Sequence, residues 1–151
     1  MPLPDSTKMV LSSTVKEWAK FAGERDKLTQ VSAELSALTR KVIQECLVFM
    51  KTQNIDIECD TPDRLKMLGV EVFVNPLVEA TFPNVKASVV LKCGGATRAI
   101  VINPNMTVSA GGIAIQLEQL RKGIPDPFVA NAAEFVRDSF LNVARTGGKT
   151  E

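Results

Sequence analysis

Between Thr14 and Gln53 the chain runs for 40 residues without a proline, and apolar residues recur along it at helical spacing. Thr14-Val15-Lys16-Glu17 matches a capping box, which predicts that a helix begins at Thr14. At about 1.5 Å per residue, such a helix would extend for roughly 60 Å. A globule built from 151 residues is narrower than that. The length therefore predicts that part of the helix projects from the body or packs against another chain.

The middle of this helix carries a regular apolar seam. Residues seven apart are apolar, and others follow them by three, which is the a/d spacing of a coiled coil. We expect this seam to be the interaction surface, either with another chain or within a helix hairpin. An alternative is that it faces the protein's own β region, as we expect for the broader apolar face of residues 42–50. The seam consists of Phe21, Leu28, Val31, Leu35 and Leu38.

The region that follows the helix has the pattern of β-strands. Apolar and acidic residues alternate strictly over residues 55–60, as in a half-buried strand. Residues 86–92 and 97–102 flank a Gly-Gly pair, which is typical of a β-hairpin. Pro76 and Pro83 predict a loop before that hairpin. We therefore expect one small antiparallel sheet of about four strands.

The last third of the chain predicts two helices. Ser109 could cap the first, over residues 111–122, and Asp126-Pro127 begins the second, which runs to about Arg145. The predicted fold is α+β, with a long coiled-coil-like N-terminal helix, the small sheet and two C-terminal helices. We divide the chain into a flexible arm (1–13), the long helix (14–53), an α+β body (54–146) and a flexible tail (147–151).

Composition argues against an enzyme. The chain contains no histidine, which removes the usual general base near neutral pH and the commonest nitrogen ligand of metals. We expect no catalytic residues, no metal and no cofactor. The chain has an odd number of cysteines, and they are widely spaced, at Cys46, Cys59 and Cys93. This pattern favours reduced thiols in a cytoplasmic, intracellular protein. No apolar run approaches the length of a membrane span, so we expect no membrane partner.

Two other classes of function stay open. A net charge of +1 excludes a strong non-specific attraction to nucleic acid. Lys16 and Lys20 nevertheless stand beside the aromatic residues Trp18 and Phe21, a combination found in nucleic-acid-binding proteins. An enzyme would have to use carboxylates, or a phosphate bound at Gly111-Gly112 ahead of the predicted helix.

The acidic run Asp56, Glu58 and Asp60 has two interpretations. On a strand these carboxylates would share the solvent face and discourage pairing with other strands. The functional alternative is a weak cation site.

The order of the elements resembles that of a known group of viral proteins. The long helix closes with Phe49-Met50-Lys51-Thr52-Gln53-Asn54-Ile55-Asp56, and the C-terminal part opens with Asn103-Pro104-Asn105-Met106-Thr107. This layout is similar to small coiled-coil proteins of the large nucleocytoplasmic DNA viruses. The resemblance implies a virion-associated or assembly role without catalysis. We therefore predict a structural protein that forms homo-oligomers or docks on other structural proteins through its long helix.

Overall fold

The structure, a computed structural model, describes residues 2–147. A long helix, α1 (Asp5–Thr52), is followed by strands and then by two helices, α2 (Leu117–Lys122) and α3 (Asp126–Thr146). This order confirms the α+β class. The strands are β1 (Ile57–Thr61), β2 (Arg64–Met67), β3 (Val70–Glu71), β4 (Phe73–Thr81), β5 (Asn84–Cys93), β6 (Ala96–Ile102), β7 (Thr107–Ala110) and β8 (Ile113–Gln116).

The strands form two antiparallel sheets instead of the single sheet of about four strands that the sequence predicted. One has the order β1-β2-β3 and the other the order β4-β5-β6-β7-β8. The predicted hairpin is confirmed as β5 and β6, which turn through Gly94 and Gly95 at φ +56° and +89°. Both values lie in the left-handed region that glycine adopts readily. A Cβ atom at Gly94 would also overlap Val143 of α3.

The missed strands have identifiable causes. Pro76 was interpreted as part of a loop, yet it lies within β4, an edge strand where a residue without an N–H group is tolerated. Gly111 and Gly112 were predicted to open a helix. They instead form the turn between β7 and β8, both with positive φ. The helix in this region is therefore only the six residues of α2.

The long helix begins nine residues earlier than predicted, at Asp5 instead of Thr14. The Lys8 N–H donates to the Pro4 carbonyl at 3.0 Å, so the first turn forms directly after Pro4. Thr14 does not cap the helix, because its hydroxyl donates to the carbonyl of Val10 one turn earlier, at 3.3 Å. The prediction of a flexible arm is therefore wrong for residues 5–13.

The other predicted boundaries have mixed outcomes. The helix continues without interruption past Gly23. Helix α3 confirms the predicted second C-terminal helix, and its residues Phe128, Phe135 and Val143 are buried. Gly147 ends α3 in the left-handed conformation, at φ +68°. The rest of the predicted tail, residues 148–151, lies outside the described residues.

The central part of α1 packs on its own body, so the predicted intermolecular seam is wrong. Phe21, Leu28, Val31 and Leu35 are all at most 5% exposed within the single chain, and Leu38 is half-buried. Helix α1 contacts β1, β4, β5 and α3. The physical reason is the unpredicted strand β4. At about 3.4 Å per residue, the ten residues of β5 and their partner β4 extend roughly 34 Å along the helix.

Candidate interaction surface

Residues 5–20 of α1, which we call the projecting segment, are exposed without exception. At about 1.5 Å per residue the segment is roughly 24 Å long, and the body reaches only its last turn, where Phe82 lies beside Trp18. The first buried residue of the helix is Phe21. One continuous helix therefore has a part that packs on the body and a part without buried residues.

The projecting segment carries an apolar stripe, which we define as Leu11, Val15 and Trp18. Their exposed fractions are 49%, 64% and 50%. Their spacing of four and then three residues places them on one side of the helix. Phe21 and Leu28, which pack on the sheet, lie roughly a quarter turn around the helix from this stripe. The stripe therefore lies on a neighbouring face, which meets the buried seam where the ring centroids of Trp18 and Phe21 are 5.2 Å apart.

The local sequence does not favour an isolated helix in the projecting segment. Ser12, Ser13 and Thr14 follow one another, and Val10 and Val15 flank them. All five have lower helix propensity than alanine or leucine. Isolated helices of about 12–15 residues are marginal in water, and most helices in proteins gain their stability from packing. In the protein the segment continues the packed part of α1, and a second surface laid on the apolar stripe would add to its stability.

An aromatic cluster marks where the sheet ends. Phe82, at the tip of the β4–β5 hairpin, has its ring centroid 5.3 Å from that of Phe21 and 5.9 Å from that of Trp18. The Arg25 guanidinium lies 5.9 Å from the Trp18 ring centroid, within cation–π range. Trp18 belongs to both this cluster and the apolar stripe. It is the chain's only tryptophan, so its fluorescence reports on both.

A second uncovered apolar surface lies at the other end of α1, where α3 packs beside it. We call it the α1/α3 groove, and its volume is about 390 Å³. Phe49 on its wall is 66% exposed and Leu141 is 38% exposed. Burial raises the pKa of the half-buried Cys46 thiol, with a further contribution from the charge of Glu45. The residues that line the groove are Cys46, Phe49, Met50, Ala133, Val136, Arg137, Phe140 and Leu141.

Arg121 on α2 is held by carboxylates, whereas Lys16 and Lys20, the residues considered for nucleic-acid binding, lie on α1. Arg121 donates from Nε and Nη2 to the two carboxylate oxygens of Glu34, each at 2.9 Å, and from Nη1 to Glu118 at 2.6 Å. These bonds raise the pKa of Arg121 and lower that of Glu34. They tie α2 to α1 and offset the charge of Arg121. Lys16 and Lys20 are exposed on the projecting segment.

The candidate chemical sites are not assembled either. Asp56, Glu58 and Asp60 are exposed at the edge of the three-stranded sheet, and Asp60 pairs with Lys51 at 3.8 Å. Throughout residues 2–147, no three cysteine or carboxylate side chains gather as a metal site would require. The Gly111-Gly112 pair forms a strand turn and does not lead into a helix, which removes the reason for a phosphate site there.

No protein-family model, curated protein or solved structure matches this chain. In the part of the chain that the structure describes, no helix combines the length and hydrophobicity needed to cross a membrane.

Sequence reasoning missed both uncovered surfaces. The spacing of Leu11, Val15 and Trp18 is visible in the sequence, but the capping box at Thr14 led to the prediction of a flexible arm. Recognising that Pro4-Asp5 can also start a helix would have placed these three side chains on one face. The groove depends on how α3 packs beside α1, which no local pattern of residues determines.

Proposed function

We propose that this protein is a non-enzymatic assembly protein that self-associates through the projecting segment of α1. The observation that carries the proposal is the exposed apolar stripe of Leu11, Val15 and Trp18 on a helix segment without buried residues. The lack of histidine in the chain supports a role without acid–base catalysis. The resemblance to virion-associated coiled-coil proteins supports the same class of function.

The surface that we propose differs from the one that the heptad pattern indicated. The seam from Phe21 to Leu38 packs on the sheet, so it offers little apolar area to a partner. The apolar stripe offers three large side chains, and a tryptophan among them is typical of the residues that dominate binding energy at interfaces. The three free cysteines support a reducing, intracellular setting.

Sedimentation velocity of three proteins tests the proposal. Wild type should form oligomers at tens of micromolar, whereas the variant Leu11→Glu/Val15→Glu should sediment as a monomer of 16.4 kDa. The matched control is Ser6→Glu/Ser13→Glu, which adds the same charge on the opposite side of the same segment. It should assemble like wild type. A wild type that stays monomeric, or a stripe variant that still assembles, would contradict the proposal.

A further inference from the structure

The two uncovered apolar surfaces lie at opposite ends of α1, and one is a row of protruding side chains whereas the other is a groove. We propose that the apolar stripe of one copy binds in the α1/α3 groove of a second copy, so that the chains join head to tail. This idea rests on the proposed self-association and adds which surface receives the projecting segment.

The groove has the properties of a receptor for an amphipathic helix. Its lining is apolar apart from the head of Arg137, and two helices form its walls. Recognition of a helix by an apolar groove commonly uses anchor residues at positions i, i+4 and i+7. Leu11, Val15 and Trp18 have that spacing. The groove therefore accepts the kind of surface that the projecting segment presents.

The same chain cannot fill its own groove. Val15 and Phe49 are 34 residues apart on one uninterrupted helix, which places the two surfaces about 50 Å apart at 1.5 Å per residue. Bringing them together within one molecule would require breaking α1. A second copy is the occupant that carries the matching stripe.

Charge favours the groove over a second projecting segment as the partner. The segment contains three lysines, Lys8, Lys16 and Lys20, against Asp5 and Glu17. None of these lysines has an ion pair within residues 2–147. Pairing two projecting segments would bring their lysines together and raise the repulsion between them.

The groove supplies the opposite charge. Glu45 is exposed, comes directly before the groove-lining Cys46 on α1 and has no ion-pair partner in the described part of the chain. The positive charge of Arg137 is partly offset, because its Nε and Nη2 both donate to Asp138, at 3.0 Å and 2.9 Å, a carboxylate that also accepts from Arg98. Lysines that flank a bound stripe would therefore meet Glu45 at the border of the groove.

Such a contact joins two different surfaces, so each molecule keeps one free stripe and one free groove. Repeating a contact of this kind builds a ring if the rotation from one copy to the next adds up to a full turn, and an open chain if it does not. Assembly should then continue beyond a dimer as concentration rises. Pairing of two projecting segments would instead stop at a discrete oligomer.

Mixing two variants tests the head-to-tail arrangement. Phe49→Glu places a charge on the groove wall at an exposed position, and Val48→Glu is its control on the adjacent residue, which does not line the groove. Phe49→Glu should weaken assembly at least tenfold, and Val48→Glu less than twofold. An equimolar mixture of Phe49→Glu with Leu11→Glu/Val15→Glu should form a one-to-one dimer of about 33 kDa, twice 16.4 kDa. Each partner then contributes its one intact surface.

The outcomes separate this inference from the proposed function. If wild type assembles and the stripe variant does not, but Phe49→Glu assembles like wild type, the groove is not the receptor and self-association stands. If wild type itself is monomeric, both fail. Alkylation of Cys46 provides a second measurement, because a filled groove covers this thiol. Its rate should fall as wild-type concentration rises and stay constant for the stripe variant, and a constant rate in an assembling wild type would overturn the inference.

Discussion

Residues 5–20 and residues 21–47 belong to the same helix but have opposite environments. In the second region the side chains that face the sheet are buried, and Leu35 and Leu47 are fully covered. In the first region apolar residues of similar size, such as Leu11 and Val15, remain exposed. The difference depends on the length of the β4–β5 hairpin, which ends at Phe82 beside Phe21. Whether an apolar residue of this helix is available to a partner is therefore decided by the sheet, and the heptad spacing alone does not predict it.

Replacing a leucine with alanine in each region tests this difference in environment through the free energy of unfolding. Leu35→Ala should lower the free energy of unfolding by about 3 kcal/mol, because it leaves a cavity at a fully buried position. Leu11→Ala should change it by less than about 0.5 kcal/mol at a concentration where the protein is monomeric. Urea denaturation followed by circular dichroism measures both values. Equal losses would mean that the projecting segment packs on the body.

Most of the helices and the hairpin could be predicted from the sequence, because the signals that indicate them are local. The turn at Gly94-Gly95 requires positive φ at two successive residues, and the apolar face of α3 follows from its 3.6-residue period. Both features were correctly located. The start of α1 was not, since Pro4-Asp5 and Thr14 are competing start signals and the local sequence does not rank them.

The environment of the seam could not be predicted, because it depends on contacts between distant parts of the chain. Phe21 is buried by Phe82, which lies 61 residues further along. Recognising this contact requires β4 to be a strand in spite of Pro76, and prolines are tolerated only in edge strands. The sequence does not determine the order of the strands in the sheet, so it does not indicate that β4 is an edge strand. An error about one strand therefore reversed the interpretation of the whole seam.

The boundary between the two regions of α1 can be tested at the hairpin tip. Phe82→Ala removes the ring that contacts both Trp18 and Phe21, and it should cost about 1 kcal/mol of stability. It should also shift the emission of Trp18 to longer wavelength, because that ring becomes more exposed to water. Phe73→Ala is the control, since Phe73 has the same exposed fraction, 47%, but begins β4 at the far end of the hairpin. An unchanged emission spectrum for Phe82→Ala would show that the sheet does not reach the projecting segment.

The smallest expected effect concerns the ion pair that holds the covered part of α1 to α2. The Arg121 guanidinium donates two hydrogen bonds to Glu34 and lowers the pKa of that carboxyl below its ordinary value of 4.5. A pKa that is lower in the folded state stabilises the fold above the unfolded value, and this contribution is lost as the pH falls through the folded value. Wild type should therefore be more stable than Arg121→Met at pH 7, and the difference should shrink below about pH 4.5. Its size should be modest, since solvent screens an exposed pair.

The matched control for that measurement is Lys41→Met. It removes one positive charge from α1 at an exposed position that has no ion pair in the described residues. Urea denaturation at a series of pH values should show a pH-dependent stability difference for Arg121→Met and a smaller, flatter one for Lys41→Met. Parallel curves for the two variants would mean that net charge, and not the contact with Glu34, governs the acid sensitivity of this junction.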